Sequence, residues 1–524
     1  MTGTRRSSAA NALLVGAGVL LSRLAGFVRE RFFAHYLGSS MAADALRAAL
    51  RAPNVLQNLF GEGSLSASLI PVYSRLLAEG KEEEARRTAR TVGTLLALLA
   101  VLLSALGVLA APLLVDVFTP GFSGERRDLT VRLVRILFPG TGLLVLSAFC
   151  LGILNSHRRF FLPYAAPVLW NGAIIAALVV AGARTGAGAS SVAVWAAWGA
   201  VAGSLLQVAV QLPQVASLVG SLRPSLDTRS THVRTIFRNF LPSVGSRGVT
   251  QVSSWVDQVI ASFLPAGAVA LLGYAQTLYI LPISLFGMSV SSAELPELSS
   301  GLGAEKLRER LDTALRRVAF FVVPSAVAFA SLGDRVVALV FQTGAFGVED
   351  VRIVWAVLAG SAVGLLAMTL GRLYASAFWA LHDTRTPLRF AMIRVALSAA
   401  LGAGLAFGGP RLLGLDPRLG LAGLTLGSGV AGWLEMLLLR RALNRRVGMT
   451  GLPASFSIRV WGAALGAAVA GFGVKLAAGP LGPVLLGVLV CGAFAVAYGA
   501  LAILFRVPEA SALAATIRRR LGGS

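Results

Sequence analysis

The sequence predicts an all-α polytopic membrane protein with about 14 transmembrane helices. Three observations carry that prediction. First, 56% of the 524 residues are hydrophobic and only 14% are charged, whereas soluble domains carry about 25% charge. Second, apolar runs of about 20 residues recur along the whole chain, the length a helix needs to cross a bilayer. Third, lysine and arginine concentrate in alternate loops. Transmembrane β-strands would instead alternate polar and apolar residues in short segments. The net charge of +23 does not mark a nucleic-acid binder, because the arginines lie in short loops rather than on one soluble face.

In order, the spans fall near 10–36, 42–77, 90–118, 130–155, 162–183, 191–216, 237–264, 267–299, 313–333, 350–381, 388–408, 418–440, 458–478 and 482–505. The arginine-bearing tail 508–524 is expected as an amphipathic helix on the membrane surface. One side of the membrane collects 28 loop cations, including Lys81, Arg86, Arg223, Arg308, Arg445 and Arg519. The other holds six: Arg126, Arg127, Arg184, Arg335, Arg411 and Arg418. Both termini are therefore expected in the cytoplasm, and the loop arginines are discounted as site residues. The first apolar stretch is long and shows no small-residue cleavage site, so no signal peptide is expected. Cys150 and Cys491 both fall in apolar spans and read as packing residues.

Residues 22–75 stand apart. They read as two membrane helices, yet they carry Arg23, Arg29, Glu30, Arg31, Asp44, Arg47, Arg51 and Glu62. Charge at bilayer depth is costly and usually faces a bundle interior or a hydrated cavity. Asp44, Arg47, Arg51, Asn54, Asn58 and Glu62 recur at steps of three or four, which places them on one helical stripe. Pro53 is positioned to kink that helix. In the first helix, Arg23 and Glu30 share a face and Arg29 lies to one side.

The chain also repeats itself. Leu59-Phe60-Gly61 recurs as Leu285-Phe286-Gly287, each followed by a proline, Pro71 and Pro296. Ser147-Ala148-Phe149 recurs as Ser376-Ala377-Phe378, each leading into a short basic loop, from His157 and from His382. The offsets are 226, 225 and 229 residues. This predicts parallel six-helix halves, 1–220 and 221–450, followed by helices 13–14 over 451–507 and the tail 508–524.

The stretch from Ser22 through Gly38, with the ADALRAALRAPNVLQNLFGEGSLSASLIPVYS run after it, resembles the signature of the MurJ (MviN) lipid II flippases. These belong to the multidrug/oligosaccharidyl-lipid/polysaccharide exporter superfamily. The likeness continues through ILNSHRRFFLPYAAPVLWN, the DQVIASFLPAGAVALLGYAQTLYILPISLFG segment, FQTGAFGVEDV and FWALHDTRTP. It implies a transporter, not an enzyme, that moves undecaprenyl-pyrophosphate-disaccharide-pentapeptide from the inner to the outer leaflet of a bacterial cytoplasmic membrane by alternating access. Helices 13 and 14 would form a groove for the lipid tail.

The family's Ser-Arg, Arg-acidic, Asp-Ala and Phe-x-Glu-Gly elements are matched by Ser22-Arg23, Arg29-Glu30, Asp44-Ala45 and Phe60-Gly61-Glu62-Gly63. Arginine's fork suits pyrophosphate and carboxylate oxygens. The substrate-binding set so implied is Arg23, Arg29, Glu30, Asp44, Arg47, Arg51, Gln57, Glu62 and Arg372. Two departures stand out, because many relatives carry arginine where Gln57 and Thr277 stand. Arg47, Arg51 and Arg372 are the candidate replacements.

No cofactor is expected, and coupling to sodium, protons or membrane potential is left open. Some relatives bind sodium through acidic and amide residues in helices 7 and 11 and a threonine in helix 12. Asp257 and Thr425 match two of these positions, while helix 11 offers no Asn or Asp. Asp257 reads equally as a protonatable switch or an arginine partner. Glu294 and Glu435 read as arginine partners or members of a proton path. The four histidines are scattered, so no metal site is expected. Trp170, Trp195, Trp198, Trp379 and Trp433 read as belt or packing residues. The expected partners are lipid II or a related polyprenyl-pyrophosphate glycan, membrane lipids and cell-wall synthesis proteins; nucleic acid is not among them, and a monomer is expected. The alternatives are export of another polyprenyl-linked glycan and a non-transporting cell-wall scaffold. A drug-cation antiporter would want an acidic or apolar pocket, and a polyprenyl-phosphate enzyme would want clustered aspartates.

Overall fold

A computed structural model describes residues 2–60, 62–184, 186, 188–220, 223–227, 229–240, 255–288, 303–479 and 481–521. Every named element among them is helical. Among the described residues, eleven helices are long and apolar enough to cross a membrane, and each coincides with one of the expected spans. The other three expected spans are the first two, which carry the charged stripe, and 237–264, of which 241–254 lie outside the described residues. The chain divides into two compact units, Met1–Ala270 and Leu271–Ser524.

The first unit contains α1 (Thr2–Leu37), α2 (Met41–Phe60), α3 (Glu62–Ala78), α4 (Glu82–Leu109), α5 (Ala111–Phe118), α6 (Gly124–Ser156), α7 (Phe161–Ala165), α8 (Pro167–Gly182), α9 (Ala189–Val219) and α10 (Val256–Ser262). Helix periodicity builds its core. Leu65, Leu69, Tyr73 and Leu76 of α3 meet Ala85, Ala89, Val92 and Leu96 of α4, all buried and spaced by three or four residues. Hydrocarbon solvent gives helices little hydrophobic reason to associate, so small and polar residues do much of the joining. Ser147 of α6 accepts hydrogen bonds from Gln207 and Gln211 of α9 at 2.9 and 2.8 Å. A methyl group on Gly203 would come within 2.8 Å of the Trp170 backbone, so α8 and α9 approach only because glycine stands there.

The second unit holds most of α11 (Ala268–Pro282), then α12 (Ala304–Phe341), α13 (Val348–Ala380), α14 (Arg385–Leu413), α15 (Gly420–Val447), α16 (Ala454–Ala477), α17 (Pro483–Leu504) and α18 (Pro508–Leu521). Helix α15 is gripped from both sides by glycine contacts. A Cβ on Gly364 of α13 would lie 2.4 Å from the Gly429 Cα, and one on Gly427 would lie 2.7 Å from the Gly402 nitrogen of α14.

The two repeated basic loops end their helices in the same way. After α6, Arg158 adopts φ +58° while the N–H groups of Arg158 and Arg159 bond to the carbonyls of Asn155 and Leu154. After α13, His382 adopts φ +58° while His382 and Asp383 bond to Trp379 and Phe378. Both are left-handed Schellman caps, a position that normally favours glycine. His382→Gly should therefore raise stability by about 0.5–1 kcal/mol, the left-handed penalty less the extra unfolded-state entropy of glycine. Thermal unfolding in detergent checks this, and a lowered midpoint would contradict it.

Asp383 fixes the start of α14. It accepts bonds from the Thr386 N–H (3.0 Å) and hydroxyl (2.7 Å), from the Arg385 N–H (3.0 Å) and from Arg446 (2.6 Å). The Thr386 N–H and hydroxyl, then Arg446, hold its carboxyl well below the usual carboxylate range. A depressed folded-state pKa stabilises above the unfolded value of about 3.9 and is lost as pH falls through the folded value. Asp383→Asn should destabilise by the same amount at pH 7 and about pH 5, with the penalty vanishing only in stronger acid. Unfolding midpoints across that range check it; a penalty independent of pH would contradict it.

Candidate functional site

The charged stripe separates into two constellations within the first unit. In the first, the Glu30 carboxylate of α1 is buried and takes two guanidinium groups. Arg29 donates to one oxygen at 2.7 Å, and Arg47 of α2 donates to the other. Arg29 also donates to Asn171 Oδ1 of α8 at 3.0 Å. Asn171 holds that orientation because its amide nitrogen donates to the Pro167 carbonyl. The Arg29 guanidinium lies 4.9 Å from the Trp170 ring centre and 5.5 Å from that of Phe33. Two cations thus share one carboxylate, and the cluster keeps one net positive charge. Beside Arg29 lies a cavity of about 70 Å³ with a mixed lining, Asn54, Thr141 and Ser204 beside Leu137, Leu144 and Trp170, and with room for a few waters. Arg51, one turn beyond Arg47, is half-buried and close enough to Asp257 of α10 for that carboxylate to act on its charge.

Asp44 belongs elsewhere. Its carboxylate is fully buried and accepts the backbone N–H groups of Gly267 (2.7 Å) and Ala270 (2.8 Å), so it caps the N-terminus of α11. Arg126 adds a third bond at 3.2 Å. That arginine also donates to the carbonyls of Ser262 (2.8 Å) and Gly121 (3.3 Å) and stacks 3.9 Å over the Phe122 ring. Gly267 sits at φ +94°, where a Cβ would strike the Ser39 carbonyl at 2.3 Å, so the close approach requires glycine. Asp44 shares a helical face with Arg47 by spacing, but its bonds run to the opposite end of α6 and to α11. Its acceptor capacity is engaged by three donors.

Arg23 is exposed on α1, and Arg372 is exposed on α13 in the second unit. The side chains of Gln57 and Glu62, and all of Glu294, lie outside the described residues. The Thr277 hydroxyl donates to the Gly273 carbonyl within its own helix. Thr425 is buried with its hydroxyl on the Val357 carbonyl at 2.9 Å, which makes it a joint between α13 and α15. Glu435 of α15 pairs with Arg394 of α14 at 2.8 Å, so of the two readings open for it, geometry supplies the arginine partner. Trp170 is more than a packing residue, because it backs the Arg29 guanidinium. Arg126 is a correction. Loop position alone discounted it, yet its side chain is 13% exposed and braces Asp44. No one-dimensional signal distinguishes it from Arg127, whereas Asn171 inside an apolar run was a visible polar anomaly.

Long apolar helices packed with a half-buried cluster of two arginines and one glutamate define a polytopic membrane protein of transporter type. The family model described as lipid II flippase MurJ matches residues 33–478, and the chain belongs to that family. A protein of Rhizobium tropici, described as a probable lipid II flippase MurJ, is 33% identical over 83% of this chain and 80% of its own length. The lipid II flippase MurJ of Burkholderia cenocepacia is 32% identical over 83% of each chain. Among solved structures, a lipid II flippase MurJ in an inward closed conformation covers 94% of this chain and 99% of its own, with a TM-score of 0.75 and 24% identity. An inward-facing multidrug-resistance transporter of the MOP superfamily gives a TM-score of 0.63 at 19% identity over 83% of this chain and 98% of its own. These last two likenesses concern the fold.

Removing the shared carboxylate leaves two guanidinium groups without compensation. Glu30→Gln should cost roughly 2–4 kcal/mol of stability, below the full penalty for a fully buried pair because both arginine side chains are 18% exposed. Adding Arg47→Gln should recover part of that loss through the coupling between neighbours. Thermal unfolding of the single and double variants checks both statements, and strictly additive losses would contradict the shared-carboxylate geometry.

Proposed function

We propose that this protein is a lipid II flippase, carrying undecaprenyl-pyrophosphate-disaccharide-pentapeptide from the inner to the outer leaflet of a bacterial cytoplasmic membrane, with both termini in the cytoplasm. The observation that carries the reading is the Arg29–Glu30–Arg47 cluster. Its surplus guanidinium charge and polar surroundings suit a pyrophosphate, and a bilayer-depth cation needs either such a ligand or water. Arg29 is the first contact assigned to the headgroup, with Arg47 and Arg51 next along α2. Glu30 positions both arginines rather than touching the anion. Gln57, Glu62, Arg23 and Arg372 stay in the assignment as further headgroup contacts. Transport involves no covalent step, so no residue is assigned as catalytic.

Two lobes, helices 1–6 over 1–220 and helices 7–12 over 221–450, rock about the substrate, while 451–507 hold the lipid tail. Support for alternating access comes from fold-mates of the MOP superfamily described as inward-facing and as outward-facing. In this scheme Asp44 is a connector that holds Arg126 together with the backbone of Gly267 and Ala270. Asp257, beside Arg51, is assigned to coupling, since a change in its charge alters the charge that Arg51 presents. Glu435 and Glu294 are kept as secondary coupling candidates.

Depleting the host flippase in a bacterium and supplying this gene tests the reading through lipid II exposure at the outer leaflet. Rescue is expected from the native chain and from Arg411→Ala, an exposed change in the last turn of α14. Arg29→Ala should lose one charge-assisted contact of about 1.5–3 kcal/mol, an affinity loss of about 10- to 150-fold, and fail to rescue. Failure of the native chain at full membrane expression would overturn the proposal in favour of another glycan or a scaffold role.

A further inference from the structure

Helix α6 carries a second set of arginines that transport leaves unused. Asp128, Arg132 and Arg135 follow one another at steps of four and three, and so form one stripe. At about 100° per residue, Arg135 lies on the side of α6 opposite Arg126, which points to Asp44 and α2. The stripe therefore faces away from the Glu30 cluster. It opens onto a groove of about 670 Å³ between Pro112 at the start of α5 and Trp198 on α9. Arg132 and Arg135 are exposed there, Trp198 is 57% exposed, and neither arginine has an ion-pair partner among the described residues.

Charge and depth together say what the groove takes. Arg135 lies about 16 Å along α6 from its start at Gly124, within the span assigned to hydrocarbon. Arg127 is already held by Asp116 through two bonds of 2.7 and 2.9 Å. Counting Asp116 and Asp128 against Arg127, Arg132 and Arg135 leaves one positive charge. We infer that this groove binds an anionic diacyl phospholipid, its single phosphodiester charge meeting Arg132 and Arg135 while an acyl chain runs along Pro112 and Trp198. One phosphodiester neutralises the site, whereas a pyrophosphate would overcharge it. Indole at this level is the side chain suited to the boundary between headgroups and chains. In the orientation proposed above the lipid sits in the outer leaflet, and only that choice of leaflet rests on the transport reading.

The test uses the full chain in phosphatidylcholine vesicles containing a minor fraction of brominated-chain phosphatidylglycerol or brominated-chain phosphatidylcholine. The Trp198 signal is the fluorescence lost in Trp198→Phe. Brominated phosphatidylglycerol should quench it more strongly than brominated phosphatidylcholine. Arg132→Gln with Arg135→Gln should cut that preference about fivefold per arginine. Arg132→Lys with Arg135→Lys should keep most of it, and Arg411→Gln all of it. Equal quenching by the two lipids, a preference that survives the double glutamine change, or loss in the double lysine variant as well would overturn the inference. Displacement of phosphatidylglycerol by a trace of undecaprenyl pyrophosphate would overturn it too, since the groove would then belong to the transported lipid. Quenching does not depend on transport, so failure here is distinct from failure of the flippase reading.

Discussion

A carboxylate shared by two guanidinium groups within the helical bundle is the constraint on which the rest depends. Glu30 can neutralise one of Arg29 and Arg47, not both. Hydrocarbon would not tolerate the remainder, because an isolated charge there costs several kcal/mol. The fold therefore supplies compensation piece by piece. Asn171 gives a carbonyl oxygen, Trp170 and Phe33 give ring faces, and a small cavity of mixed lining adjoins Arg29. What is left over is a single positive charge held by rigid neighbours. That arrangement is poor glue but good preorganisation for an anion, since the donors are already oriented before it arrives.

Asp44 shows the opposite use of charge. Three donors converge on it, two of them the backbone amides of Gly267 and Ala270 around the start of α11, and its own exposure is nil. A carboxylate at a helix N-terminus is favourable through both hydrogen bonding and the helix dipole. Breaking that contact leaves several buried polar groups unpaired together, so it is suited to being wholly made or wholly broken. The same helix α2 thus carries that connector at one end and Arg47, one member of the anion-seeking pair, a turn later.

Much of the fold was legible in the sequence because hydrocarbon is a strict solvent. Long apolar runs marked the spans, and the two spans that composition flagged as anomalous are the ones bearing the Arg29–Glu30–Arg47 cluster. The site itself was read less completely. Helical spacing put Asp44, Arg47 and Arg51 on one stripe, yet spacing cannot say which neighbour each side chain meets, and Asp44 meets Arg126 in the first turn of α6 and a distant helix start. Arg126 was hidden by its position in the same loop as Arg127, although one is buried and the other pairs with Asp116 at the surface. Thr425 and Glu435 sit in one apolar helix with similar surroundings in the sequence. Only packing reveals that the first joins two helices through a carbonyl and the second meets Arg394.

The central claim is that the region beside Arg29 is wet, positive and open to the lipid headgroup. Cysteine placed at Asn54, in a chain whose Cys150 and Cys491 have been replaced, measures all three at once through its reaction with charged methanethiosulfonates. The account predicts that the anionic reagent reacts faster than the cationic one and that lipid II protects the site. No reaction in the folded protein, or equal rates for both reagents with no protection by lipid II, would contradict it.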